Sequence, residues 1–541
     1  MKQKLLFLFI ICSSIAFAQT KKPKLVVGIV VDQMRYDYLD RFWNKFEENG
    51  FKKLVNQGFN CKNTHYNYMP TYTGPGHASI YTGTTPENHG IIANDWFNKT
   101  TGNYLYCTED TSVNTVGSKS KSGRMSPKNM EATTITDELK LNTNQRGKVI
   151  GISIKDRGAI LPAGHKADAA YWFDGGTEGK WITSTYYLKE LPKWVHEENK
   201  RKAPDQYLGQ PWETLLPITD YTESIADDNP YEGTFRTEEK PVFPHNLPAL
   251  RDSNNHYSLI KATPFGNTIV KEMALAAIKG EQLGKDEFTD FLAISFSSTD
   301  YVGHQYGPMS VEIEDTYLRL DKELAELLTQ LETTVGKDQF LVFLTADHGA
   351  VNVPQYLIDH HLPAGYFDVR GTVKDLKEKC KEHFAADSLI SNVSNGQVFL
   401  NHQQLQKSKL PPLQVEQFVA STLLTYEGVS TSYTRSSLTS SQFYEGIPAI
   451  IQKGFHQNRS GDVLFVLNPG WINAGYTTGT THGSPYNYDT HVPLLWYGAD
   501  IKKGVTNEKI VISDIAATLA ALLNIQMPSA CTGQPIKAML K

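Results

Sequence analysis

Four apolar runs, each closed by charged or hydroxyl side chains, punctuate the chain. They are KLVVGIVV at Lys24 to Val31, KVIGISI at Lys148 to Ile154, FTDFLAISFS at Phe288 to Ser297 and FLVFL at Phe340 to Leu344. Near-continuous apolar character with many β-branched residues is the pattern of a strand buried on both faces, as in a parallel sheet. Between the runs the period changes to that of amphipathic helices. The spacing predicts helices over Phe42 to Val55, Thr134 to Leu141, Asn267 to Lys279, Val311 to Leu331 and Asp514 to Leu523. Ile313, Leu320, Leu324, Leu327 and Leu331 form one apolar stripe on the longest of these. Alternating strands and helices predict an α/β sandwich with a central, mostly parallel sheet flanked by helices.

Two stretches break the pattern. Residues 174–264 scatter Trp181, Trp194 and Trp212 among prolines and acidic residues with little periodicity, and residues 353–461 are polar except for a helix near Val415 to Leu424. Segments this long are functional or locally structured more often than plain connections. They are read as insertions that form a lid within one catalytic domain over 19–541, and the core is expected to resume at Asp462 to Leu467.

The residues that close the apolar runs carry the chemistry. Asp32 follows the first run, Lys155 and Arg157 the second, Asp300 and His304 the third, Asp347 and His348 the fourth; His482 lies in a late Gly- and Thr-rich loop. In open α/β sheets ligands bind outside the carboxyl ends of strands, so these residues are expected at one rim. Singly, each has an ordinary explanation as a cap, a turn or a solvated cation; their joint placement argues for a site. Three carboxylates and three imidazoles without thiolate suit one or two divalent metals, and the histidine share fits zinc best.

A tight turn at Tyr68 to Asn94, YMPTYTGPGHASIYTGTTPENHGIIAN, adds a hydroxyl. Thr73 precedes Gly74, Pro75 and Gly76. Pro75 suits a first helical turn, and the glycines let backbone amides approach an anion beside the hydroxyl. The plain alternative is that Thr73 only caps a helix. Thr73, Asn94, Lys155 and Arg157 together suit a negatively charged tetrahedral group. His77, His89 and His491 are expected to buttress turns, and His360 and His361 to lie outside the site.

Composition narrows the setting. The first residues, with Lys2 and Lys4, an apolar run from Leu5 to Ile11 and Ala16-Phe17-Ala18, predict a secretory signal peptide cleaved after Ala18. No later run approaches the roughly 18 apolar residues of a membrane span, so a periplasmic or secreted enzyme is expected. The net charge of −5 over 541 residues, with no basic run, excludes a nucleic-acid polymer as partner on electrostatic grounds. Beyond Cys12 of the leader, Cys61, Cys107, Cys380 and Cys531 contain no CxxC, which excludes a compact thiolate zinc site and leaves three disulfide pairings open.

VVDQMRYDYL, PTYTGPGHASIYTG, STDYVGHQYGP, TADHGA and THGSPYNYDTHVPLL occur in that order across nearly the whole mature chain. This ordered set resembles the alkaline phosphatase superfamily, in its branch related to nucleotide pyrophosphatases and phosphodiesterases. With KDR at Lys155 to Arg157 it is most similar to the PafA-type periplasmic alkaline phosphatases. The resemblance implies two zinc ions per chain, one held by Asp300, His304 and His482 and the other by Asp32, Asp347, His348 and the Thr73 oxygen. It implies that Thr73 attacks phosphorus and forms a phosphothreonine, with Asn94, Lys155, Arg157 and the amide after Thr73 on the non-bridging oxygens. Small phosphate monoesters are the expected substrates.

A phosphodiesterase on the same fold is the nearest rival, and the two cations favour a monoester dianion over it. A sulfatase needs a Cys or Ser in place of Thr73. An exported metal-dependent protein that binds phosphorylated glycans would need no nucleophile. The sequence leaves oligomeric state and the physiological substrate open.

Overall fold

The computed structural model describes residues 22–473, 475 and 477–540; the leader expected over residues 1–18 lies outside them. Ten strands form the central sheet: β1 (Leu25–Val31), β2 (Phe59–Cys61), β3 (Thr115–Val116), β4 (Val149–Ser153), β5 (Ala169–Asp174), β6 (Lys180–Ser184), β7 (Asp290–Phe296), β8 (Phe340–Thr345), β9 (Leu494–Gly498) and β10 (Gly504–Thr506). Their spatial order is β10-β2-β9-β8-β1-β7-β4-β5-β6-β3. The four expected runs are the four neighbours β8, β1, β7 and β4, all parallel. The sheet turns antiparallel on both sides of the central strands, at β8–β9 and β5–β6. The α/β architecture with a large mixed sheet therefore matches the expectation, with parallel pairing concentrated in the middle.

All seven residues of β1 are buried, and each fully buried Val, Leu or Ile contributes about 1.5–3 kcal/mol. That burial makes the strand register firm, because a one-residue slip would exchange the faces of a wholly packed segment. The helices α1 (Thr73–Thr82), α2 (Asp156–Ala163), α3 (Phe265–Gly280), α4 (Ser298–Tyr306), α5 (Val311–Leu331) and α6 (Asp514–Leu523) flank it. The helix expected over Thr134 to Leu141 spans Ile135–Asn142, where Thr134 Oγ1 accepts from Asp137 N and Asp137 Oδ2 accepts from Thr134 N.

Two expectations need correction. The helix predicted over Phe42 to Val55 is broken: a short helical turn at Trp43–Lys45 gives way to an extended Phe46, and a second helix starts at Phe51. Asp321, from α5, accepts from both Glu47 N and Phe51 N and so caps the new start. Asp462 to Leu467 does not return to the central sheet. Val463–Leu467 pairs with Gln397–Leu400 and Val429–Thr434 in a separate four-stranded sheet. That sheet has a hydrophobic cluster of its own, built on Leu376, Val398, Val415, Val419 and Val463.

Within 174–264, β6 belongs to the central sheet, and Trp212 is fully buried, donating to Asp315 of α5. Cys61, Cys107, Cys380 and Cys531 are all free thiols.

Candidate metal centre

Because β8, β1, β7 and β4 are adjacent and parallel, the residues after their carboxyl ends fall side by side along one rim. Asp347, Asp32, Asp300 and Lys155 are thereby drawn from sequence separations of up to 315 residues into strand positions about 4.8 Å apart. Asp300 sits in the first turn of α4, so His304, one turn on, shares its face. The loop carrying His482 is held by Asp489, which accepts from Gly483 N and Ser484 N at 3.0 and 2.7 Å.

Two groups result. Ligand atoms of Asp300, His304 and His482 lie within 4.8 Å of one another, and so do those of Asp32, Asp347 and His348. All three imidazoles are oriented alike: Nδ1 of His304, His482 and His348 lies 2.8, 2.7 and 3.0 Å from the backbone oxygens of Thr480, Thr71 and Gly349. Donation from Nδ1 leaves Nε2 as a free lone pair, which is how metal-ligating histidines are set. Asp32 Oδ1 and His348 Nε2 are buried with no hydrogen-bond partner and lie 3.5 Å apart, with Asp347 Oδ1 3.6 Å from the same nitrogen. Orphaned buried polar atoms are costly, and these converge on one point, so the donor set fits a divalent cation.

The electrostatics describe the same need. Burial pushes the Asp32 carboxyl up to about 8, with Asp300 and Asp347 adding repulsion. Burial would also raise Asp300, but His304 and Lys155 outweigh it and hold that carboxyl well below its usual range. Burial, with His348 beside it, holds His482 far down and so neutral. Lys155 is buried between the two groups, its Nζ 2.7 Å from Asp32 and 2.6 Å from Asp300.

Thr73 opens α1, a helix buried along its whole length. Tyr72 occupies the N-cap position and no side chain caps the helix, so the plain reading of Thr73 as a cap does not hold. Asn94 Oδ1 accepts from Gly74 N at 2.7 Å, leaving its NH2 end as a donor for a ligand. A Cβ on Gly76 would lie 2.6 Å from the Asp347 backbone oxygen, so only glycine lets this turn sit on the rim. His77 does more than buttress: its Nδ1 is 2.9 Å from Thr73 O and 3.3 Å from Asp347 Oδ2, joining the turn to the second group. Arg157 donates to Tyr106 Oη at 3.0 Å, Tyr106 donates to Asp156 at 2.6 Å, and Arg157 Nε is buried without a partner.

His89 bonds Ser79 and Ile91 N, His491 stacks on Tyr36 and His65, and His360 and His361 are exposed in a separate segment. Gln33 was not singled out from the sequence. It holds both groups, donating from Nε2 to Asp300 at 2.7 Å and from its backbone to Asp347 at 3.1 Å, at a φ of 62°. Its only local signal is its place directly after Asp32. Tyr106 carried none.

A rim of this kind, with two carboxylate–imidazole groups, defines a metal-dependent hydrolase on an α/β sheet. A family model described as type I phosphodiesterase / nucleotide pyrophosphatase matches residues 26–491, and the chain belongs to that family. It is 45% identical over 520 residues to alkaline phosphatase PafA of Elizabethkingia meningoseptica, covering 96% of this chain and 95% of that one. It is 46% identical over 530 residues to a protein of Myroides odoratus named calcium-transporting ATPase, covering 97% and 96%. The crystal structure of wild-type PafA superposes with a TM-score of 0.93 at 45% identity, covering 96% of this chain and 99% of that one. A variant of that enzyme, changed at one Thr, one Asn, one Lys and one Arg, superposes at 0.92 with 44% identity, over 96% and 99%. Within the family, the chain falls with the alkaline phosphatases.

Proposed function

We propose that the chain is an exported alkaline phosphatase that hydrolyses small phosphate monoesters through a phosphothreonine at a two-zinc site. The observation that carries this reading is the convergence of orphaned, buried donors from β1 and β8 beside the turn that presents Thr73. Asp300, His304 and His482 would hold one zinc, and Asp32, Asp347, His348 and the Thr73 oxygen the other. Bound zinc would supply fixed positive charge that lowers the Thr73 hydroxyl pKa and stabilises the leaving oxygen.

Thr73 Oγ1 loses its proton to solvent and forms a bond to phosphorus as the ester P–O bond opposite breaks; the leaving alkoxide takes a proton from solvent and departs as the alcohol. Water then cleaves the phosphothreonine and restores the hydroxyl. Asn94 Nδ2 and Arg157 meet the non-bridging oxygens, while the amide after Thr73, expected to join them, is taken by Asn94 Oδ1 and orients that side chain instead. Lys155, relieved of Asp32 and Asp300 once cations occupy both groups, would donate to the same phosphoryl group. The solved relative changed at Thr, Asn, Lys and Arg supports this set, since Thr73, Asn94, Lys155 and Arg157 are the same four types in the same order.

Two cations at the phosphoryl position favour a monoester dianion over a diester. The organisation we read is one catalytic domain with insertions at about 174–264 and 353–461. Among the described residues no helix is long and apolar enough to cross a membrane, and the transport name of the Myroides relative is not extended to this chain. The test is a panel of phosphate mono- and diesters assayed side by side, with mass spectrometry of acid-quenched enzyme. Monoester preference and a phosphorylated Thr73 are expected; faster diester turnover, or an unmodified Thr73, refutes the proposal.

A further inference from the structure

A cavity of about 380 Å³ lies between the loops carrying Tyr72 and His482, the small four-stranded sheet and the two-stranded pair of Gly365–Phe367 with Trp471–Asn473, within the ~300–1,000 Å³ range of small-molecule sites. Its wall is apolar and aromatic: Tyr72, Phe367, Val393 and Trp471. Two of its wall residues belong to the centre already described or adjoin it. His482 is a candidate ligand, and Tyr72 precedes Thr73 and meets the His482 ring edge-on at 5.5 Å.

One polar wall residue is unsatisfied. Asp489 is 1% exposed; its Oδ2 takes the Gly483 and Ser484 amides, while Oδ1 is buried without a partner. A buried carboxyl oxygen without a partner is costly, so a ligand that fills this cavity gains by offering a hydrogen-bonding group at that point. An aromatic body with one hydroxyl or amino group meets both conditions.

The geometry points to this cavity as the leaving-group subsite: it takes the alcohol portion of an aryl-bearing phosphate monoester and binds a hydroxyl or amino group of that portion at Asp489 Oδ1. The inference rests on the proposed phosphatase reading, in which the leaving oxygen faces the Asp300, His304 and His482 group. On that side, an alcohol longer than two carbons runs past His482 toward Trp471 and Phe367. The two small sheets, through Val393 on one and Phe367 and Trp471 on the other, would thus set substrate preference without touching the phosphoryl group.

The experiment compares three primary-alcohol monoesters with closely similar leaving oxygens: ethyl phosphate, 2-phenylethyl phosphate and 2-(4-hydroxyphenyl)ethyl phosphate. In the wild-type enzyme kcat/KM is expected to rise at least about tenfold from the ethyl to the phenylethyl ester through burial of the ring. A further rise of a few-fold is expected with the hydroxyl, which finds an unpaired carboxyl oxygen. Val393→Trp, which fills the cavity, should bring the phenylethyl-to-ethyl ratio close to one. Asp489→Asn should remove the hydroxyl preference and keep the ring preference.

Equal kcat/KM for all three esters in the wild type overturns the subsite and leaves the phosphatase reading standing. A ring preference that survives in Val393→Trp overturns its location. Failure to hydrolyse any of the three overturns both readings. The wild-type ratio requires no variant to fold.

Discussion

His348 and His482 stack face to face, their ring centroids 3.4 Å apart and their planes 12° from parallel, although each belongs to a different candidate metal group. The two groups therefore share a wall. Gln33 ties them a second time, through Asp300 and Asp347.

This contact predicts that the groups lose metal together. His482→Ala removes a donor from one group and the stacking partner that orients His348 in the other. Loss of an orienting neighbour costs about 10–100-fold in metal affinity. Elemental analysis after dialysis against dilute chelator should show well under one zinc per chain in the variant against two in the wild type. A full equivalent retained by the variant contradicts it.

Thr73→Ala should lower kcat by at least about 10³-fold, since the nucleophile is lost, while Thr73→Ser should keep measurable turnover. Hydrolysis of an aryl phosphate followed by absorbance checks both. Undiminished turnover in the alanine variant excludes Thr73 as nucleophile. Exhaustive chelation should abolish activity in the wild type, and added zinc should restore it.

Lys155 Nζ bridges two buried acidic side chains, 2.7 Å from Asp32 and 2.6 Å from Asp300, and Asp300 is the one held ionised. Breaking a buried pair by removing one partner costs about 3–5 kcal/mol. Lys155→Met should destabilise the metal-free protein by about that amount and the zinc-loaded protein by less, as read from denaturant unfolding of both forms. An equal loss in both forms argues against this role.

Arg157→Ala should reduce kcat/KM for monoesters by about 10²-fold, the usual cost of removing one preorganised donor. The loss should be smaller for diesters, which present less charge. Parallel assays of the two ester classes read the difference directly, and equal losses count against the monoester assignment.

Away from the centre, buried His245 is held between Glu238 and Glu312, its ring nitrogens 2.8 and 3.2 Å from their oxygens. Burial would lower its pKa, but the bonds to the two carboxylates outweigh this and push it up to about 9. Its folded value exceeds the unfolded ~6.5. The stabilisation is therefore complete below about pH 6.5 and is lost as pH rises through about 9. His245→Gln should cost clearly more stability at pH 6 than at pH 10 in urea unfolding. A gap that does not change with pH removes His245 from this role.

How much of this could be read from the chain alone follows from where information is local. Asp32, Asp300, Asp347 and Lys155 were legible because each lies within four residues of the end of a buried strand, and strand ends in a parallel sheet share a rim. Gln33 was not, since its role depends on two carboxylates more than 260 residues away. The broken helix at Phe46 was hidden because its cause, Asp321, is a tertiary partner. Val463–Leu467 has the composition of a core strand, and only its pairing reveals that it serves the smaller sheet.

That smaller sheet has a hydrophobic cluster separate from the one beneath the rim. Side chains facing the cavity can therefore change in size or polarity while the machinery on the ten-stranded sheet keeps its packing. Lineages sharing one phosphoryl-transfer apparatus are then free to diverge in diet, because what is recognised and what is done to it rest on different foundations.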